Sequence, residues 1–120
     1  MKSFGFPKNI RLSRQNEIQA IWENGLYCRK GILGAKYLKN DLGYNRYLIS
    51  IKKKVGSAPV RNLLKRLIRE AIRLTQVKFQ GGFDICLFIT RPPQYSVTFA
   101  TIQKSILYLF QQMEQGHASS

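Results

Sequence analysis

Between Lys52 and Arg73 the chain reads KKKVGSAPVRNLLKRLIREAIR, where Lys52, Lys53, Lys54, Arg61, Lys65, Arg66, Arg69 and Arg73 face a single acid, Glu70. The chemistry open to such a set is phosphate binding. Guanidinium groups donate bidentately to phosphate and stack on bases, so an Arg-rich cluster suits a nucleic-acid backbone. The turn VGSAP ahead of the expected helix would add backbone N–H groups at the helix N-terminus. Acid–base catalysis finds little support. The acids Glu17, Glu23, Asp41, Glu70, Asp84 and Glu114 are scattered, and the sole histidine, His117, lies in the terminal QGHASS. HExxH, DxD and Gly-rich phosphate-loop patterns are all absent, so no catalytic residue and no metal-ligand set is assigned.

The cations and the Leu/Ile residues of this stretch separate by angle. At about 100° per residue, Arg61, Asn62, Lys65, Arg66, Arg69 and Arg73 share an arc of about 140°. Leu63, Leu64, Leu67, Ile68, Ala71 and Leu74 take the opposite arc, with Ile72 straying to the basic side. An ordinary solvated face would interleave acids at i,i+4. A membrane-surface or calmodulin-target helix is the other reading of a basic amphipathic segment, but the apolar arc has neither Trp nor Phe.

The rest of the chain must position that helix. With 120 residues the sequence fits one domain, residues 1–120, and 44% hydrophobic content with seven Phe and six Tyr argues for a folded core. Twenty Lys+Arg against six Asp+Glu give a net charge of +14, an excess that points to a polyanionic partner. No apolar run is long enough to span a membrane, and MKSFGFPKNIRLSR lacks the apolar core of a secretory signal. Cys28 and Cys86 form no CxxC and require no disulfide; Cys86 reads as a core residue, and a cytoplasmic location fits.

An irregular basic lead-in occupies residues 1–12. A first helix is expected over about 13–24 with Ser13 as N-cap, stopped by Asn24-Gly25. Strands are expected at 32–40 and 46–52, joined by NDLGYN as a hairpin loop, with LYCRK as an optional extra strand. The basic helix should run from about 59 to 76, with Pro59 in its first turn. FDICLFIT, 83–90, is a doubly covered central strand. A last helix spans about 96–114 and residues 115–120 form a frayed tail. The order helix–strands–helix–strand–helix gives an α+β class, a sheet covered on one side by helices. A second surface is expected around the first helix. Arg11, Arg14, Ile18 and Trp22 would line it with Tyr37 and Tyr47 on the strands, the aromatics among cations being able to stack single-stranded bases as Ile18 cannot, although Trp22 and Ile18 suit core packing equally.

The stretch KKVGSAPVRNLLKRLIRE resembles the signature of the protein subunit of bacterial ribonuclease P, KK-x-G-x-A-x-x-RN-x-x-KR-x-x-RE. Lys53, Lys54, Gly56, Ala58, Arg61, Asn62, Lys65, Arg66, Arg69 and Glu70 match it. The resemblance implies an α-β sandwich like the second domain of ribosomal protein S5, with a left-handed β-α-β crossover. It implies an endoribonuclease subunit that joins a catalytic RNA and helps remove the 5′ leader of precursor tRNA, the RNA doing the chemistry with Mg²⁺. The basic helix (Arg61, Asn62, Lys65, Arg66, Arg69, Arg73) and the strand end (Lys52, Lys53, Lys54) would face the catalytic RNA. A cleft between the first helix and the sheet would hold the leader. Where the family usually has two Phe in the first helix, this chain has Ile18 and Trp22. Leu48 stands where the family has a glycine, and Pro59 where Val is common. A ribosomal or other structural RNA-binding protein would share the charge and fold but not the signature.

Overall fold

The computed structural model describes residues 10–75, 81–94 and 96–118, the last three as backbone alone. Its elements are α1 (Gln15–Asn24), β1 (Leu26–Lys30), β2 (Leu33–Lys39), β3 (Arg46–Ile51), a 3-10 turn (Lys53–Val55), α2 (Ala58–Thr75), β4 (Phe83–Ile89) and α3 (Phe99–Ala118). LYCRK is a true strand, joined to β2 through Gly31-Ile32, with Gly31 at φ 61° as a tight turn requires. α1 begins after Arg14, which makes no side-chain cap, rather than after Ser13. α3 begins three residues later than expected because Thr98 and Thr101 cap it reciprocally. Each backbone N–H donates to the other's hydroxyl at 3.2 Å. α3 then continues through 115–118, so only 119–120 of the expected tail lie outside the described residues, as do residues 1–9 of the lead-in and the expected helix end at 76.

Every residue of β4 is buried, and that decides the sheet. A strand apolar on both faces must lie between neighbours and beneath helices on both sides. The strand order is accordingly β1-β2-β4-β3, with β4 antiparallel to β2 and parallel to β3. The expected hairpin between β2 and β3 is therefore not formed, although the 40–45 loop has the anticipated turn chemistry. Asn40 Oδ1 accepts from Leu42 N–H at 2.8 Å, and Gly43 has φ 81°. The same loop's Asn side chains hold the start of β4. Asn40 Nδ2 donates to Asp84 at 2.8 Å, and Asn45 Oδ1 accepts from the Phe83 N–H at 2.9 Å.

The helices cover both faces of the sheet, not one. Tyr37, Tyr47, Ile85, Leu87 and Ile89 pack with Leu64, Ile68 and Ile72 of α2 and Ile106, Leu109 and Phe110 of α3. On the reverse face Cys86 and Phe88 meet Leu12 and Ile21, with Leu38 and Leu48 at the margin, so α1 lies there. α1 is tied down by a polar clamp. Arg46 donates to both Asp84 carboxylate oxygens, at 2.8 and 2.7 Å, and to Glu17 of α1 at 3.2 Å. Those bonds, Asp84's first, hold the guanidinium firmly protonated. Removing Asp84 would leave the half-buried Arg46 cation with Glu17 as its remaining carboxylate partner, so Asp84→Ala is expected to cost about 2–4 kcal/mol in urea denaturation.

Burial also pushes the Cys86 thiol from 9.0 up to about 11 and the Tyr47 hydroxyl from 10.0 up to about 12. Both groups are neutral in the fold and lose their protons more readily once unfolded. Their contribution is complete below about pH 9 and is lost as the pH rises to about 12. Denaturant midpoints should fall across that window, by roughly 2 kcal/mol for each group, and Cys86→Ala should flatten the lower part of the fall.

Candidate nucleic-acid interface

α2 starts where β3 delivers the chain. Lys52 N–H still donates to Ile89 O at 3.1 Å, Val55 is buried as an anchor, and Lys52, Lys53 and Lys54 stay exposed around it. Gly56 follows, and a Cβ there would sit 2.9 Å from Val60 Cγ1, so the close approach of turn and helix needs glycine. Arg61 Nε donates to Gly56 O at 3.1 Å. Arg61 is thus half-buried and braces the turn, rather than standing fully in the cationic arc.

The buried side of α2 is Leu64, Ile68, Ala71, Ile72 and Thr75. Ile72, which the angle count assigned to the basic side, goes inward. Leu63 and Leu74, assigned to the packing side, are 45% and 44% exposed. The sheet and α3 together cover an arc centred on Ile68, and Leu63 and Leu74 fall outside it. Asn62, Arg66 and Arg73 are exposed, and Lys65 and Arg69 are half-buried. Arg73 Nε donates to Glu70 at 3.2 Å, and the Arg73 hydrogen bonds hold the Glu70 carboxyl below its ordinary range.

Arg11 joins this surface. It forms an isolated bridge with Tyr47, and Leu12 N–H donates to Tyr47 O at 2.9 Å, along the outer edge of β3. With Lys65 and Arg69 it lines a groove of about 380 Å³ over Tyr47, Leu48 and Ile49. Leu48 also packs against the cluster beneath α1.

The reverse face carries the aromatics. Trp22, at the end of α1, lies 5.4 Å from Phe88 between ring centroids, and Tyr27 of β1 stacks with Phe88 at 6.1 Å. Phe88 is the nearly buried floor, while Trp22 and Tyr27 are 43% and 53% exposed. The row is held by polar contacts. Lys36 Nζ donates to Trp22 O at 2.8 Å and lies 5.6 Å from its ring centroid, and Arg29 Nε donates to Tyr27 Oη at 2.7 Å. Of the residues expected to line this cleft, Trp22 is in place, Ile18 is half-buried on the same helix and Arg14 is exposed at its start. Tyr37 is not: strand alternation turns it to the opposite face, 4% exposed and edge-on to Phe83 at 5.7 Å, and Tyr47 is buried there too. Tyr27, Arg29, Lys36 and Phe88 were not anticipated. The period-2 alternation of Tyr27 and Arg29 in LYCRK was the available signal, whereas Phe88 was hidden in an unbroken apolar run.

A Cβ on Gly34 would come within 2.6 Å of the Phe88 ring, so Gly34 is what lets that ring lie on β2. Gly34→Val should displace the row, shifting the emission of Trp22, the sole tryptophan, and costing about 1–3 kcal/mol of stability in denaturation.

An α-β sandwich with a cationic helix on one side, a cationic groove at its edge and an aromatic cleft on the other has the character of an RNA-binding protein. Comparison with known proteins is specific. The family model Ribonuclease P matches residues 6–114. The chain is 37% identical over 102 residues to the ribonuclease P protein component of Clostridioides difficile, covering 84% of this chain and 89% of that protein. It is 31% identical over 99 residues to that of a Thermoanaerobacter species, covering 82% and 84%. Among solved structures, the ribonuclease P protein of Thermotoga maritima aligns with TM-score 0.75 and 29% identity over 85% of this chain and 96% of that one. The Staphylococcus aureus protein aligns with TM-score 0.75 and 25% identity over 87% and 94%. The chain belongs to the ribonuclease P protein family and is a protein subunit of that endoribonuclease of tRNA 5′ maturation.

Proposed function

We propose that the chain binds the catalytic RNA of ribonuclease P through the exposed cations of α2 and the Lys52–Lys54 turn, and that it holds the single-stranded 5′ leader of precursor tRNA in the cleft between α1 and the sheet. The RNA and its bound Mg²⁺ carry the cleavage chemistry, and the protein raises the affinity for precursor over product, which has no leader. The observation that supports this reading best is the aromatic row Trp22–Phe88–Tyr27 flanked by Lys36 and Arg29, on the face of the sheet opposite α2. Stacking is tolerant of sequence, as a subunit serving many leaders requires. Among the described residues no group of three His, Cys, Asp or Glu side chains could hold a metal ion, and Glu17 and Asp84 are engaged with Arg46.

Reconstitution with a bacterial ribonuclease P RNA tests the whole. The protein should stimulate correct 5′ cleavage at low Mg²⁺, and no stimulation would refute the proposal. Trp22→Ala should weaken precursor binding by about 1–3 kcal/mol while leaving mature tRNA unaffected. Lys65→Ala with Arg69→Ala should lower the slope of log affinity against log salt by roughly 1 for each charge removed.

A further inference from the structure

Glu17 is the third residue of α1, a place from which a glutamate commonly reaches back to the N-cap N–H. Here its Oε2 accepts instead from Arg46 Nη1 at 3.2 Å, across to the sheet. Arg46 is not free to follow the helix. It is the partner of Asp84 in the parallel β3–β4 ladder, and Asp84 accepts from its Nε and Nη2 at 2.8 and 2.7 Å. Asp84 accepts in turn from the Asn40 amide at 2.8 Å. With two of its nitrogens fixed by the sheet, the planar guanidinium offers Nη1 at one point in space, and the carboxylate of α1 must come to it.

Alternation along β4 puts Asp84, Cys86 and Phe88 on the face that α1 covers. α1 meets that row at three places: Glu17 reaches Asp84 through Arg46, Ile21 packs in the cluster with Cys86, and Trp22 lies against Phe88. Glu17 and Ile21, four residues apart, share one side of the helix. Their separation of about 6 Å along the axis is close to the step of about 6.6 Å from Asp84 to Cys86. Among the described residues, two polar bonds tie α1 to the sheet, Glu17 to Arg46 near its start and Lys36 Nζ to Trp22 O at 2.8 Å near its end. A ten-residue helix whose N-cap Arg14 makes no side-chain bond has little stability of its own, so these ties and Ile21 set its tilt. Releasing Glu17 would free the start of α1 to turn about the fully buried Ile21, and the Trp22 ring would swing on Phe88 with it.

We propose that Glu17 is a positioning residue for the leader cleft: by way of Arg46 it fixes the tilt of α1 and so the placing of Trp22 over Phe88. The inference rests on the leader-binding reading above. In this role Glu17 touches no RNA. The sign of its effect runs against electrostatics. A carboxylate repels RNA, so its removal from a protein of net charge +14 should, by charge alone, tighten binding. Positioning requires that its removal weaken binding, and only for RNA that reaches Trp22.

The test compares Glu17→Ala and Glu17→Gln with Glu23→Gln in the holoenzyme reconstituted on a bacterial ribonuclease P RNA. Glu23 is exposed on the same helix and bonded within it to Gln19 at 2.9 Å, so its variant loses the same charge without loss of a tie to the sheet. Glu17→Ala should lower affinity for precursor tRNA about fivefold, and Glu17→Gln, which keeps an uncharged acceptor, about twofold. Affinity for mature tRNA and the cleavage rate at saturating precursor should not change. Glu23→Gln should not weaken precursor binding. The emission of Trp22 should shift in both Glu17 variants, and in a Trp22→Ala background the Glu17 substitutions should cost nothing further. Precursor affinity that stays level or rises in both Glu17 variants would overturn the proposal. So would an equal loss for mature tRNA, or a loss that persists without Trp22. If the wild-type holoenzyme showed no preference for precursor over mature tRNA, the leader-binding reading would fall; if it showed one that the Glu17 variants retained in full, only the positioning role would.

Discussion

Phe83–Ile89 offers water no polar face, and the rest of the molecule is arranged around covering it. Seven buried residues in extended conformation need a strand on each side and helices above and below. Placing β4 between β2 and β3 makes the β3–β4 pair parallel, which demands a crossover, and α2 is that crossover. The basic helix is therefore fixed by both its ends: Lys52 still pairs with Ile89 as the chain leaves β3, and the next strand begins in the centre of the sheet. Covering the second face of β4 requires α1. The cleft between α1 and the sheet is a consequence, with Phe88, a β4 residue, as its floor.

Charge works alongside burial. Three of the few acids are paired with the protein's own cations: Glu17 and Asp84 clamp Arg46, and Glu70 pairs with Arg73 at the surface. What remains on the surface is overwhelmingly cationic, and self-repulsion is the cost of a net charge of +14. A polyanion relieves that repulsion on binding. The exposed cations lie on the α2 face, along the β3-edge groove and beside Trp22 and Tyr27.

The aromatic cleft is built from distant parts of the chain. The first helix supplies one ring, Trp22, and the sheet supplies Phe88 and Tyr27. The row closes because Gly34 leaves room for the Phe88 ring and Lys36 anchors Trp22 by its carbonyl.

The signature spacing, the helical periods and the charge excess are local properties, and they were legible in the chain itself: the elements, the cationic face of α2 and the family resemblance all follow from them. Pairing is different. NDLGYN has the chemistry of a hairpin loop, yet its strands are parted by β4, because a residue's partner across a sheet depends on what else must be buried. The same reason governs the site. Periodicity says that Tyr37 and Tyr47 alternate with their neighbours, but not which face is covered by α1 and which by α2 and α3. Tertiary packing put both tyrosines in the core and brought Trp22, Tyr27 and Phe88, distant in sequence, into one row. It also turned Arg61 back to Gly56 and set Arg11 beside Lys65 and Arg69. Residue type and spacing determined the cationic face of α2 and the family resemblance; which side chains meet to form the cleft was decided only when burial of β4 chose the order of the strands.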